Sequence, residues 1–202
     1  MTSSLQLAAE IERNVLAALA EDIGGGDLTA LLAPASHAAR GEVISRHDAV
    51  LAGRAWFDAC FLRLDPSTCI HWSADDGEIV AAGQTLCTVE ADTRALLTAE
   101  RSALNFLQLL SGTATTTRRY VDAVAGTGAR IVDTRKTLPG LRLAQKYAVR
   151  CGGGTNHRLG LYDGILVKEN HIIACGGIGP ALAQARELAG ANVFIQVEVE
   201  TL

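Results

Sequence analysis

Arg130-Ile131-Val132-Asp133-Thr134-Arg135-Lys136, then Leu141 to Val149, then Gly164-Ile165-Leu166-Val167-Lys168 decide the fold class. A short apolar run ends in charge, a helix-forming stretch follows behind Pro139-Gly140, and a second apolar run again ends in charge. The alternation continues with a helix expected over Ala181 to Ala189 and a strand over Val193 to Val199. Strands alternating with helices imply a parallel sheet or barrel, so the class is α/β. In such folds the strand C-termini share one face, and active sites gather there. Three strand ends carry functional groups: Thr134-Arg135-Lys136-Thr137, Lys168-Glu169-Asn170-His171 and Glu198-Val199-Glu200.

The segment Gly152-Gly153-Gly154-Thr155-Asn156-His157-Arg158 lies between a helix and a strand. Its glycines fit a helix C-cap. The stretch from Arg150 to Gly164 is about a dozen residues, which is long for such a loop. An extra short strand is therefore expected at Thr155 to His157, carrying His157 and Arg158 to the same face. Residues 130 to 168 hold eight Lys or Arg against Asp133 and Asp163, a local balance of +6 in a chain of net charge −4. Arg142, Lys146 and Arg150 fit a solvated helix face. The other cations sit beside Gly, Asn and Thr and point to a small anionic ligand in a focused site.

Upstream, Ser3-Ser4-Leu5-Gln6 fits a capping box with Ser3 as N-cap. Leu5, Ala8, Ile11, Val15 and Leu19 follow at near-helical spacing, up to the stop at Gly24-Gly25-Gly26. Residues 39 to 98 are β-rich. Strands are expected around Glu42 to Ser45, Ala49 to Ala52, Cys69 to Trp72 and Gln84 to Val89, with a short helix over Trp56 to Leu64. They suit a small sandwich or an open sheet. A helix is expected from Thr98 to Val124, bent by Gly112 and the following threonines. The domain boundary is placed there, giving residues 1–112 and 113–202.

Composition narrows the classes. Of 202 residues 49% are hydrophobic and 20% charged, an ordinary globular balance. No apolar run approaches the roughly 18 residues of a membrane span. The first residues lack a basic region followed by an apolar stretch, so no secretory signal is expected. The acidic balance argues against nucleic acid. Five cysteines lie far apart with no C-x-x-C pair, as in a reducing, cytoplasmic compartment.

Asp133 to Arg142, Lys146-Tyr147-Ala148-Val149, Gly152 to Leu161 and Leu166 to His171 together resemble the signature of the quinolinate phosphoribosyltransferase family (nicotinate-nucleotide pyrophosphorylase, carboxylating). The resemblance extends back through Glu100-Arg101-Ser102-Ala103-Leu104-Asn105 and Glu21 to Thr29, over nearly the whole chain. It implies an N-terminal open β-sandwich with helices (residues 1–112), followed by an incomplete TIM-like α/β barrel (113–202). The implied reaction joins quinolinate and phosphoribosyl pyrophosphate, with Mg²⁺, into nicotinate mononucleotide, pyrophosphate and CO₂. Both substrates are polyanions, in keeping with the +6 stretch.

By the resemblance, Arg135, His157 and Arg158 hold the quinolinate carboxylates, beside Thr134. Lys136 and Lys168 serve the phosphoribosyl pyrophosphate and the reacting ring. Glu200 is the acid near ribose and metal, with Glu198 the alternative. Arg101 is donated from the second subunit of a homodimer, or of a higher oligomer. The family continues beyond Leu202, so the expectation is a fragment or a C-terminally truncated product. Two further readings stand beside this one. One is a related phosphoribosyltransferase for another ring acid, such as the paralogue of molybdenum uptake loci. The other is an inactive truncated homologue that keeps an anion pocket.

Other signals carry less. Gly77 to Glu90 looks like a biotinyl carrier hairpin, but Glu90-Ala91-Asp92-Thr93 holds no modifiable lysine. Asp75-Asp76 fits a tight turn. His37, His47 and His71 lack metal-ligand spacing. Gly176-Gly177-Ile178-Gly179-Pro180 fits a helix start.

Overall fold

A computed structural model describes residues 4–34, 37–191 and 193–201. The chain divides into two compact units. The first comprises Met1–Asp133 and Thr137–Asn156, and the second Thr134–Lys136 and His157–Leu202. The fold is mixed α/β, with small sheets, none of them closed.

In the first unit, helix α1 spans Ser4–Ile23. The expected N-cap, Ser3, lies outside the described residues. Leu7, Ile11, Val15, Ala18 and Leu19 pack inward, whereas Leu5 and Ala8, expected on the buried stripe, are exposed. The buried stripe thus runs through Leu7 and Ile11, off the line of Leu5 and Ala8. A three-stranded antiparallel sheet follows in the order β1 (Ala38–Ile44), β5 (Thr85–Asp92), β3 (Cys69–Trp72). A second antiparallel pair joins β2 (Ala49–Val50) to β4 (Ile79–Val80). Helix α2 (Arg54–Leu64) buries Trp56, Phe57, Cys60 and Phe61, one apolar stripe at helical spacing, against α3.

Helix α3 runs unbroken from Thr93 to Ala123. Asp92 caps it by accepting from the Arg94 and Ala95 amides. The predicted bend at Gly112 and the threonines is not seen. Thr113, Thr115 and Thr117 donate their hydroxyls to the carbonyls four residues back, which lets them stay helical. Thr115 Oγ1 and Ser111 Oγ also accept the amides of Val50 and Ala52 at 2.9 and 3.0 Å, fastening β2 to the helix.

Helix α4 (Arg142–Cys151) packs on α3. Gly152, its C-cap, is required by that approach. A Cβ there would lie 2.4 Å from the Ala114 carbonyl oxygen and 2.7 Å from Thr117 Cβ. The first glycine of the triple-glycine stretch is thus explained by helix packing. The strand expected at Arg130 to Asp133 is reduced to one parallel bridge, Val132 to Thr155, and Val132 is 53% exposed rather than buried. A single partner along one edge leaves its side chains uncovered. The strand expected at Thr155 to His157 shrinks to the same bridge.

The second unit has a parallel pair, β6 (Gly164–Val167) and β7 (Phe194–Val197), in the register Gly164 to Phe194 through Val167 to Val197. Two helices connect them, α5 (Glu169–Cys175) and α6 (Ile178–Leu188). Its core is small: Val167, Ala181 and Ala185 are buried, with Ile165, Ile172, Ile195 and Val197 packed around them. Helix α5 was not expected. Its markers are local: His171 Nδ1 accepts the Lys168 amide at 3.0 Å, and Gly176 closes it in left-handed conformation at φ +79°.

All five cysteines are free. Burial pushes the Cys60 and Cys87 thiols up to about 12, and leaves their thiolates scarce at neutral pH. In the folded chain at about pH 8, Cys69, which is exposed, is expected to alkylate readily. Cys60 and Cys87 should react only after unfolding. Peptide mass mapping checks this, and labelling of folded Cys60 at the Cys69 rate would contradict the burial.

Candidate functional site

The strongest polar cluster of the first unit surrounds Asp133. Lys146, from α4, is 2% exposed and ion-paired to Asp133, whose side chain is also buried. Asn156 Nδ2 donates to Asp133 Oδ2 at 2.6 Å and to the Lys146 carbonyl at 2.8 Å. The Asp133 amide donates to the Thr155 carbonyl at 3.1 Å. Lys146 is therefore no part of a solvated basic face. Helical position alone cannot distinguish a lysine that faces water from one that meets a buried carboxylate arriving 13 residues earlier. Tyr147, next on the helix, donates its hydroxyl to Asp76 at 2.6 Å and meets Trp56 at a tilt of 53°, 5.4 Å between ring centroids. Burial and the Asp76 carboxylate push the phenol well up, so it stays a neutral donor.

In the second unit, Lys136 donates its amide to Thr134 Oγ1 at 3.0 Å, a local turn that orders the Thr134–Lys136 segment. Arg135 Nε is buried and has no hydrogen-bond partner among the described residues. A buried guanidinium nitrogen without an acceptor is costly, and an anionic ligand would satisfy it. Lys136 is exposed.

At the C-terminal ends of the parallel strands, Lys168 and Glu198 form an ion pair, Nζ to Oε2 at 3.1 Å. Glu198 donates its amide to the Val167 carbonyl at 2.9 Å, continuing the ladder by one residue. Glu200, two residues on, is exposed and forms no ion pair among the described residues. The pairing thus falls to the alternative acid, Glu198. His157 Nε2 lies 2.7 Å from Gln196 Oε1, with its ring edge-on to Phe194 at 4.8 Å. Arg158 Nη1 donates to the Gly164 carbonyl at 3.0 Å. Gln196 and Phe194 were not singled out in the sequence. Both project from the β7 strand, but no motif marks them.

Among the described residues, no three His, Cys, Asp or Glu side chains converge on a metal position. Two exposed carboxylates, Glu198 and Glu200, lie at the end of β7. That suits Mg²⁺, which prefers few protein oxygens, several waters and substrate phosphates to a dedicated cage.

Arg101 lies in the first unit, exposed on α3 at the rim of a groove of about 1240 Å³. Leu51, Phe57, Val89, Leu104 and Leu107 are among the apolar residues lining that groove, and Arg46 and Arg119 lie along it too.

Residues 27–111 match the N-terminal domain of quinolinate phosphoribosyl transferase, and residues 113–202 its C-terminal domain. The nicotinate-nucleotide pyrophosphorylase (carboxylating) of Mycobacterium leprae is 46% identical over 192 residues, covering 92% of this chain and 66% of that one. The chloroplastic enzyme of Arabidopsis thaliana with the same name is 42% identical over 187 residues, covering 91% and 53%. The solved nicotinate-nucleotide pyrophosphorylase of Francisella tularensis superposes with a TM-score of 0.92 at 44% identity, over 96% of this chain and 69% of that one. A mixed α/β chain with cationic groups at its parallel strand ends and this likeness is of the phosphoribosyltransferase class. It belongs to the quinolinate phosphoribosyltransferase family. The chain spans 62% to 66% of the length of the bacterial relatives it matches. Among the described residues, no helix is long and apolar enough to cross a membrane.

The buried pair gives a stability prediction. Lys146→Ala strands the Asp133 carboxylate and is expected to cost about 3–5 kcal/mol. Replacing both partners, as Lys146→Met with Asp133→Leu, should recover most of that loss. Chemical denaturation of the two variants checks it, and a double variant no more stable than the single one would contradict it.

Proposed function

We propose that this chain carries the catalytic machinery for transferring phosphoribosyl from phosphoribosyl pyrophosphate to quinolinate, with loss of CO₂, in the biosynthesis of NAD. The observation that carries the reading is the buried, unpartnered Arg135 Nε in a segment with Lys136. An arginine fork binds a carboxylate bidentately, and quinolinate offers two. The names of the matched relatives support this ring acid over another. Cysteine chemistry supports a reducing compartment, the cytoplasm in a bacterium.

On this reading Arg135, His157 and Arg158 hold the carboxylates, with Thr134 ordering the turn. Lys136 and Lys168 face the phosphoribosyl pyrophosphate and the ring. As pyrophosphate departs, the ribose carbon gains positive charge, and a carboxylate at the end of β7 stabilises it. Glu198 holds Lys168 in place, which leaves Glu200 for that role and for metal. Mg²⁺, held by Glu200 and substrate oxygens, would neutralise charge on the pyrophosphate. The ring nitrogen then bonds to the ribose carbon. When the 2-carboxylate departs as CO₂, the electron pair left on ring C2 is stabilised by the adjacent cationic nitrogen and takes up a proton from water. No nucleophilic Ser or Cys is needed.

The finer architecture belongs to the same proposal. The three-stranded sheet and its helices form an open sandwich, and the β6–β7 pair is the beginning of an incomplete α/β barrel. The two domains meet near residue 112, within α3, where the family matches abut. The chain acts as a homodimer. The apolar groove beside Arg101 supports a second copy covering it.

Release of labelled CO₂ from carboxyl-labelled quinolinate tests the activity, and its absence from a chain of the relatives' full length would overturn the reading. Arg158→Ala is expected to weaken quinolinate binding about ten- to hundredfold, given roughly 1.5–3 kcal/mol per charge-assisted bond. Arg158→Lys should recover part of it. Calorimetry showing unchanged affinity would remove Arg158 from the site.

Subunit mixing tests Arg101. Arg101→Ala and Lys136→Ala should each be nearly inactive. After random exchange, half the dimers are mixed and each holds one intact site, so about a quarter of the parent activity should return. No recovery despite exchange would place Arg101 outside the partner's site.

A further inference from the structure

We infer that Gly164, Phe194 and Gln196 form a seat on the β6–β7 pair that sets the pose of His157 and Arg158, acting as positioning residues for carboxylate recognition. The inference rests on the functional reading above for what His157 and Arg158 bind, and on geometry for the seat itself. Gly164 and Phe194 are directly paired across the two strands. A Cβ on Gly164 would lie 2.6 Å from Phe194 Cζ, 2.7 Å from its Cε1 and 3.1 Å from Arg158 Cβ. The absence of a side chain at 164 is therefore what admits the Phe194 ring and the stem of Arg158 together. Once there, the Phe194 ring meets the His157 imidazole edge-on at 76° between planes, an arrangement that aromatic quadrupoles favour. The Gly164 carbonyl meanwhile holds Arg158 Nη1 at 3.0 Å.

Gln196 adds chemical selection. It stands two residues beyond Phe194 on β7, hence on the same face. Its amide oxygen is 2.7 Å from His157 Nε2, and an amide oxygen only accepts. Nε2 must then carry hydrogen. The seat thus holds the ring plane and favours the Nε2–H form of His157. A carboxylate-binding pair held this way should discriminate between a pyridine with two adjacent carboxylates and one with a single carboxylate. Discrimination depends on both groups being in place at once.

The test uses the 202-residue chain itself. Gln196→Met keeps the length of the side chain without the acceptor, and Gln196→Glu keeps an oxygen acceptor. Long-range proton–nitrogen NMR of the imidazoles, with His157 assigned from a His157→Gln spectrum, reads the tautomer. Calorimetry with quinolinate and with nicotinate reads discrimination. The parent should show Nε2–H alone, Gln196→Met a mixture of tautomers, and Gln196→Glu a return to Nε2–H. Gln196→Met and Gly164→Ala should each lose about tenfold of the preference for quinolinate over nicotinate, while affinity for inorganic pyrophosphate is unchanged. Gly164→Ala is read only if its circular dichroism matches the parent, and Gln196→Met decides the matter otherwise. A Gln196→Met chain with parent tautomer and parent preference overturns the seat. A parent chain that binds no quinolinate overturns instead the functional reading on which the seat's purpose rests.

Discussion

The buried ion pair between Lys146 and Asp133 constrains the first unit more tightly than any other polar contact described. Two charges taken from water must be fully partnered to be tolerated, and Asn156 supplies the bridging amide. The consequence is geometric. Asp133 ends the short extended run at 131–133, Lys146 is in the middle of α4, and Asn156 follows the glycines that close that helix. Three segments far apart in sequence are fixed by one carboxylate. Thr134 to Lys136 and His157-Arg158, for which carboxylate and phosphate binding is proposed, directly follow Asp133 and Asn156 in the chain.

The second unit uses a different device. Its core is three buried residues and a few half-buried ones, too little to hold functional side chains by packing alone. Directional contacts do the holding instead: the Lys168–Glu198 pair, the Arg158–Gly164 hydrogen bond, and the contact of His157 with Gln196 and Phe194. Parallel pairing points both strands' C-termini the same way and so brings Lys168 and Glu198 together past the last pair. Gly164 and Phe194, which meet Arg158 and His157, are instead the first residues of β6 and β7, so Arg158 and His157 are not carried to the C-terminal end as expected. The exposed Lys168–Glu198 pair adds little stability on its own. Its role is to give a mobile lysine a preferred position.

Periodicity located most elements because it reports burial directly. α2, β3, β6 and β7 emerge near their expected positions since each has a clean apolar pattern and a turn residue beside it. Reading failed where burial depends on what lies opposite. Val132 has the composition of a buried strand but meets a partner at one position only. Leu5 and Ala8 share the apolar composition of α1 but lie off the face, Leu7, Ile11, Val15 and Ala18, that the core covers. The threonines after Gly112 predict a bend, but their hydroxyls meet carbonyls in the preceding turn and, for Thr115, the Val50 amide of β2.

The sequence by itself determined the α/β class, the order of elements, the family, and the identity of the cations and acids at the strand ends. These follow from local pattern and from motifs whose residues lie close together in the chain. Only the tertiary structure decided that Lys146 is buried on Asp133, that Lys168 pairs with Glu198 and not Glu200, and that Gln196 and Phe194 seat His157. Each of those joins residues 13 to 39 positions apart. Their meeting is set by strand register and helix packing, and neither leaves a periodic trace in the chain.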